Sequence, residues 1–80
     1  GVNDMQSGVL ELFDTRSHQA VDRIALPCIM EGYHQVNNLR NEFRCCHHPV
    51  FTADGRHLYS NTLNGRFGEV VRIAVPEACR

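Results

Sequence analysis

Two glycine turns constrain the last third of this chain more than any other feature. Asp54-Gly55 and Asn64-Gly65 each lie between runs of β-compatible residues. These dipeptides tolerate the positive φ angles that two-residue hairpin turns demand. The spacing therefore predicts a three-stranded antiparallel meander. Its strands are expected at about 49–53, 56–63 and 66–75.

The register of this meander follows by counting outward from the two turns. Phe51 is then opposite Leu58, and Leu58 is opposite Val71. Ile73 and Val75 continue the same side, so one face of the meander is apolar. This face is expected to pack on the apolar stripe of a helix that the sequence predicts before the meander.

The other face of the meander is mixed in character. Counting places His57 beside Arg72 and groups Tyr59 with Val50 and Val70. Tyr and Arg are frequent anchors of protein interfaces because they bury a large area and keep a polar group. We therefore take this face as the candidate binding surface.

The first half of the chain predicts a hairpin followed by a helix. Two β-compatible stretches, Ser7–Asp14 and Ala20–Pro27, are separated by a segment of turn composition. Apolar residues then recur at helical spacing, which predicts a helix over about Cys28–Arg44. The predicted order is ββ-α-βββ. This is an α+β fold in which the helix packs on an antiparallel sheet, in one domain over residues 1–80.

Four cysteines are the main chemical feature of this short chain. Cys45 and Cys46 are adjacent, Cys28 and Cys79 stand alone, and no CxxC pair is present. Zinc ribbons and fingers usually present two close pairs. Adjacent side chains on an extended segment point to opposite faces, so Cys45 and Cys46 suit two different partners better than one metal ion.

Disulfide bridges are therefore the first interpretation. Cys28 and Cys79 would each pair with one member of the Cys45–Cys46 pair, and the sequence leaves open which. Two such bridges would contribute roughly 3 and 4 kcal/mol to the stability of a small core. Bridges of this kind indicate a secreted protein.

Two alternatives to disulfides remain open. In the first, Cys45, Cys46, His47 and His48 contribute to a zinc site and the domain is a zinc-binding module. In the second, the cysteines are reduced thiols in a cytosolic protein. Otherwise no metal and no cofactor is expected.

Charge and hydropathy narrow the classes of partner. The formal net charge is −1 and all eight basic residues are Arg, so neither general nucleic-acid binding nor an anionic membrane is favoured. No apolar run approaches the roughly 18 residues of a transmembrane helix.

A family resemblance appears in the meander. The stretch "GRHLYSNTLNGRFGEVVRI", residues 55–73, resembles the central strand pair of small microbial guanyl-specific ribonucleases. The predicted element order is also similar to that family, and to the RNase-like secreted effectors of plant-pathogenic fungi. Arg56 matches the phosphate-binding Arg of the family. Arg72 stands where the family has its catalytic acid His, and no residue matches the general base.

The resemblance implies a secreted, non-enzymatic effector that acts in virulence by binding a host protein. The candidate binding residues are His57, Tyr59, Arg72 and Arg56. No catalytic residue is expected, and the protein is expected to be a monomer. A ribonuclease or RNA-binding protein is the alternative, with nucleic acid as its partner.

Overall fold

The computed structural model describes residues 1–5, 8–28, 45–65 and 67–80. These residues form two three-stranded antiparallel sheets, each with its strands in chain order. The strands of the first sheet are β1 (Val2–Asp4), β2 (Val9–Phe13) and β3 (Ala20–Ala25). Those of the second sheet are β4 (Val50–Phe51), β5 (His57–Asn64) and β6 (Phe67–Ala74). A short 3₁₀ turn, Glu77–Cys79, follows β6.

The expected α+β class is wrong. No α-helix occurs within the described ranges, and the apolar face of the second sheet packs against the first sheet instead of a helix. The physical reason is that β1 adds a third strand to the N-terminal hairpin. The resulting three-stranded sheet contributes Leu10 and Leu12 to the core against which the second sheet packs. The predicted helix at 28–44 lies, apart from its first residue, outside the described residues.

The predicted N-terminal hairpin is confirmed as β2 and β3. Alternation within β2 buries Leu10 and Leu12 and leaves the side chains between them on the other side of the sheet. The connecting turn is held by the Asp14 carboxylate, which accepts hydrogen bonds from the backbone N–H groups of Arg16 and Ser17.

The predicted meander is also present, with one shift of register. Phe51 pairs with Leu58 as expected, but Leu58 pairs with Ile73 rather than Val71. The shift arises because β5 extends through Asn64, so that the turn begins at Gly65, whose φ is +61°. A shift of two residues preserves the faces of a strand, so the predicted division into an apolar and a mixed face survives.

One core lies between the two sheets. It combines residues of the first sheet and the segment after it with residues of the second sheet and the chain that follows. Its buried members are Leu10, Leu12, Leu26, Leu58, Val75 and Cys79. Because both sheets contribute to one core, the parts of the inner faces that form this core are not available for a partner.

Candidate functional site

The solvent-facing side of the second sheet carries an exposed apolar row with one cation. We call the surface formed by Val50, His57, Tyr59, Val70 and Arg72 the outer face. Val50, Tyr59 and Arg72 are consecutive cross-strand neighbours on β4, β5 and β6. Val50 is 63% exposed, Tyr59 45% and Val70 67%. An exposed apolar surface that spans three strands is a feature of interaction sites.

The shifted register corrects the predicted neighbours on this face. His57 is opposite Ala74, and Arg72 is opposite Tyr59. Directly opposite residues in an antiparallel pair have Cβ atoms about 4.5–5.5 Å apart. The Tyr ring and the guanidinium are therefore neighbours, while His57 lies at the end of the strand.

Arg56 lies on the turn that precedes β5. Its backbone N–H donates to the Asp54 carboxylate at 3.0 Å, and its carbonyl accepts from the N–H of Val75. The side chain is exposed. The backbone of Arg56 therefore has a structural function in the turn, and its guanidinium is accessible to solvent.

The charge of the outer face is positive. Arg72 is exposed and forms no ion pair with any described residue. Glu69, the acidic residue of β6, points to the opposite side of the strand and accepts a hydrogen bond from the Asn64 side chain at 3.0 Å. The outer-face positions of β4, β5 and β6 carry no carboxylate, so a partner's carboxylate would meet no repulsion there.

A second feature is a pocket of about 260 Å³ at the far end of β1. Its lining includes Asp4, Cys28, Cys45, Cys46, His47, His48 and Pro49. The structure thus brings together three of the four cysteines with the adjacent histidines. The adjacent residues Cys45 to His48, on which the zinc and disulfide interpretations rest, all line this pocket.

His47 is the most buried residue of this pocket, with 1% of its surface exposed. Its Nδ1 is 2.8 Å from Oδ1 of Asp4, and its Nε2 is 2.8 Å from the carbonyl oxygen of Leu26. Both ring nitrogens of His47 therefore have a hydrogen-bond partner. The His47 carbonyl accepts from the N–H of Asn61. His47 therefore joins the first sheet to the second.

His48 differs from His47 in its exposure to solvent and in its backbone conformation. It is exposed and its φ is +43°, a left-handed conformation at the corner before β4. Sequence reasoning treated the two histidines alike. It had no signal that could separate them, because the burial of His47 depends on Asp4, which is 43 residues away in the chain.

The pocket does not form a metal centre from the residues that the structure describes. No group of three or more His, Cys, Asp or Glu side chains among them could hold a metal ion. His47 could become a ligand only by giving up a hydrogen bond, since both of its ring nitrogens have partners. The zinc alternative gains no support from this geometry.

The four cysteines are free thiols in the structure. Cys28 is buried, Cys45 is half-buried and Cys46 is exposed, all at the pocket. Burial raises the pKa of the Cys45 thiol, and the neighbouring Cys28 and Cys46 raise it further. Cys79 is buried in the core instead. The predicted pairing of Cys79 with Cys45 or Cys46 stays a prediction.

Comparison of the chain with protein-family models, curated protein sequences and solved structures finds no significant match. The resemblance to guanyl-specific ribonucleases and their effector relatives therefore stays a prediction. Within the described ranges, no helix has the length and apolar character needed to cross a membrane.

Proposed function

We propose that this protein binds a partner protein through the outer face of its second sheet. The observation that carries the proposal is the exposed Val50–Tyr59–Arg72 row, which is apolar at one edge and cationic at the other. Aromatic and Arg residues dominate the binding energy of interfaces. In this row they stand side by side.

The chemistry of the face favours a protein with a carboxylate beside an apolar group. Arg72 offers a planar fork that suits bidentate contact with a carboxylate. Tyr59 and Val70 supply area that loses contact with water on binding. A nucleic acid would meet one guanidinium and one imidazole on this face, which is little charge for binding to phosphates.

The exposed edge of β6 adds a second means of contact. In the described sheet, β6 pairs with β5 on one side only. Its other side presents backbone N–H and C=O groups that an incoming strand could pair with. A partner strand along β6 would lie next to Arg72 and Val70.

We place this binding function in a secreted protein of the fungal effector kind. The four cysteines in a short chain and the resemblance over residues 55–73 support this setting. The proposal includes no catalytic role. General acid–base hydrolysis needs two positioned proton carriers, and His57 is the only imidazole or carboxyl among the outer-face positions of the described strands.

The test uses random peptides displayed on phage as the probe. Peptides selected on the folded protein should be enriched in a carboxylate next to an apolar residue. Their synthetic versions should bind Tyr59→Ala and Arg72→Glu at least about 5–30-fold more weakly, equivalent to roughly 1–2 kcal/mol. Arg16→Glu reverses the charge of an exposed Arg on the first sheet's turn, and it should leave affinity unchanged.

Circular dichroism of each variant establishes that the fold is retained. Peptides that bind Tyr59→Ala and Arg72→Glu with full affinity would contradict the proposal, and so would a loss caused by Arg16→Glu. Failure to enrich any peptide above background would also count against it.

A further inference from the structure

The thiols of Cys28, Cys45 and Cys46 lie at one pocket, and two of them could form a disulfide. Cys28 follows β3 and Cys45 precedes β4, and the backbone N–H of Cys45 donates to the carbonyl of Cys28 at 2.8 Å. Both side chains line the same pocket. This single bond holds the two backbones side by side, at a Cα separation on the order of the 5.5 Å found between hydrogen-bonded strand residues. Disulfides span Cα separations of about 4.4–6.8 Å.

We propose that Cys28 and Cys45 are a redox pair that closes into a disulfide, while Cys46 and Cys79 remain thiols. The proposal selects one of the pairings that the sequence left open. It also excludes the second predicted disulfide, which would join Cys79 to Cys45 or Cys46. It is independent of the outer face and of any partner bound there.

Cys46 is the less suitable partner for Cys28. It is exposed, whereas Cys28 is buried with 4% of its surface accessible. The carbonyl of Cys46 is held by the side-chain amide of Asn61 at 3.1 Å, which ties this residue to β5. Reaching Cys28 would require the exposed side chain of Cys46 to turn inward while this bond holds its backbone at β5. The backbone of Cys45 is already hydrogen-bonded to Cys28.

Cys79 lies at the other end of the first sheet. Its carbonyl accepts from the amino group of Gly1, and its side chain is packed in the core. The pocket is at Asp4, three residues farther along the extended β1. At about 3.3 Å per residue, roughly 10 Å separate Asp4, at the pocket, from Gly1, at which the Cys79 backbone lies. This exceeds the span of a disulfide.

The reaction requires an external oxidant, and the class we name is a small-molecule disulfide. The thiolate of one cysteine attacks this disulfide, forms a mixed disulfide and releases one small thiolate. The second cysteine then attacks the protein sulfur of the mixed disulfide and releases the other. The protein loses two electrons and two protons, and the oxidant becomes two thiols.

The environment of Cys45 affects the rate of this reaction. Because burial and the neighbouring thiols raise the pKa of Cys45, the reactive thiolate is scarce near neutral pH. The rate of closure should therefore rise with pH through the alkaline range.

Closure would link the chain after β3 to the chain before β4. The bridge would lie next to His47, which already connects the two sheets. A cross-link that closes the loop from residue 28 to residue 45 restricts the unfolded chain. For a domain of this size, oxidation should raise the Tm by roughly 10–20 °C.

The experiment treats the folded, reduced protein with oxidised glutathione and blocks remaining thiols with an alkylating agent. The intact mass should show two blocked thiols and one internal bridge. The chain contains no Lys, so trypsin cleaves only after Arg. A linked pair of peptides should then appear, one ending at Arg40 and the other spanning 45–56.

Trypsin cannot separate Cys45 from Cys46, and two variants make that distinction. Cys46→Ser should retain the bridge and the rise in Tm, whereas Cys45→Ser should lose both. Circular dichroism of the reduced variants shows whether each one folds before oxidation. If Cys45→Ser fails to fold, fragmentation of the linked wild-type peptides locates the bridge at Cys45 or Cys46.

The proposal is overturned if oxidised wild-type protein links Cys46 to Cys28, or links Cys79 to either adjacent cysteine. It is equally overturned if the folded protein keeps four alkylatable thiols after exposure to oxidised glutathione.

Discussion

The two sheets of this protein share one core but differ in the surfaces they present to solvent. On the first sheet, Arg23 of β3 and Glu11 of β2 are directly paired, with Nε 2.9 Å from the carboxylate oxygen. On the second sheet, the corresponding cross-strand row joins Arg72 to exposed Tyr59. Arg23 on the first sheet is therefore paired with a carboxylate of the same sheet. The second leaves its cation available beside apolar surface.

The proposed binding function would explain this difference between the two sheets. Exposed apolar area and an unpaired Arg add nothing evident to the stability of the second sheet. A sheet that needed only to cover the core could carry charge-paired residues outward, as the first sheet does at Glu11 and Arg23. We infer that binding is the reason for the contrast.

The largest expected effects test whether the two sheets share one core. Leu10→Ala on the first sheet and Leu58→Ala on the second each remove a fully buried side chain. Each should lower the free energy of unfolding by about 2–5 kcal/mol. Amide hydrogen exchange should show that either change weakens protection in both sheets. Loss of protection in only one sheet would mean that the sheets are separate units.

The second largest loss of stability is expected at His47, which connects the two sheets. His47→Ala removes the hydrogen bonds to Asp4 and to the Leu26 carbonyl and opens a cavity, so it should cost about 2–4 kcal/mol. The control is His48→Asn, which changes the exposed neighbour to a residue that tolerates positive φ. Urea denaturation of both variants measures the difference. Equal losses of stability in the two variants would contradict a structural role of His47.

Some of this architecture could be predicted because strand patterns have period two. The pairing of Phe51 with Leu58, and the division of the meander into an apolar and a mixed face, follow from alternation and turn chemistry. The same rule explains why an error of two residues in the β5–β6 register exchanged the neighbours of Arg72 without exchanging faces. Local signals sufficed for this part.

Other features depend on residues that are distant in the chain. β1 is three residues long and has no pattern of its own, so it becomes a strand only through pairing with β2. The sequence gives no signal for β1, and it predicts a covering helix only from the spacing of apolar residues over 28–44. The role of His47 likewise depends on Asp4 and Leu26, neither of which is near it in sequence.

A smaller effect compares the two arginines directly. Arg23→Gln breaks the ion pair with Glu11 and should lower the free energy of unfolding by about 0.2–1 kcal/mol, because the Arg is well exposed. Arg72→Gln breaks no ion pair among the described residues and should stay within about 0.5 kcal/mol of wild type. The cost at Arg23 should shrink in high salt. A larger loss at Arg72 would show that the outer face serves stability.

The smallest effect concerns a feature that the sheets have in common. Hydrogen bonds from backbone N–H groups of Ser17 and Arg16 lower the pKa of Asp14 in the first sheet's turn. The Thr52 hydroxyl, and then the N–H of Arg56, lower that of Asp54 in the second. Each carboxylate is therefore stabilising above the ordinary Asp pKa of about 3.9, and its contribution disappears as pH falls through the lowered value.

Urea denaturation between pH 5 and pH 2 measures this contribution. In Asp14→Asn and Asp54→Asn, the loss of stability over that range should be slightly smaller than in wild type. The two variants should behave alike, because both turns use a carboxylate in the same way. Unchanged acid sensitivity in both would contradict the assigned hydrogen bonds.

The central claim is that partners bind the outer face of the second sheet. Its most direct test is an NMR titration of the isotope-labelled protein with a peptide selected from the phage library. We expect the amide signals of Tyr59, Val70 and Arg72 to shift on binding while those of Glu11 and Arg23 stay in place. Shifts confined to the first sheet, with the signals of Tyr59 and Arg72 unmoved, would contradict the claim.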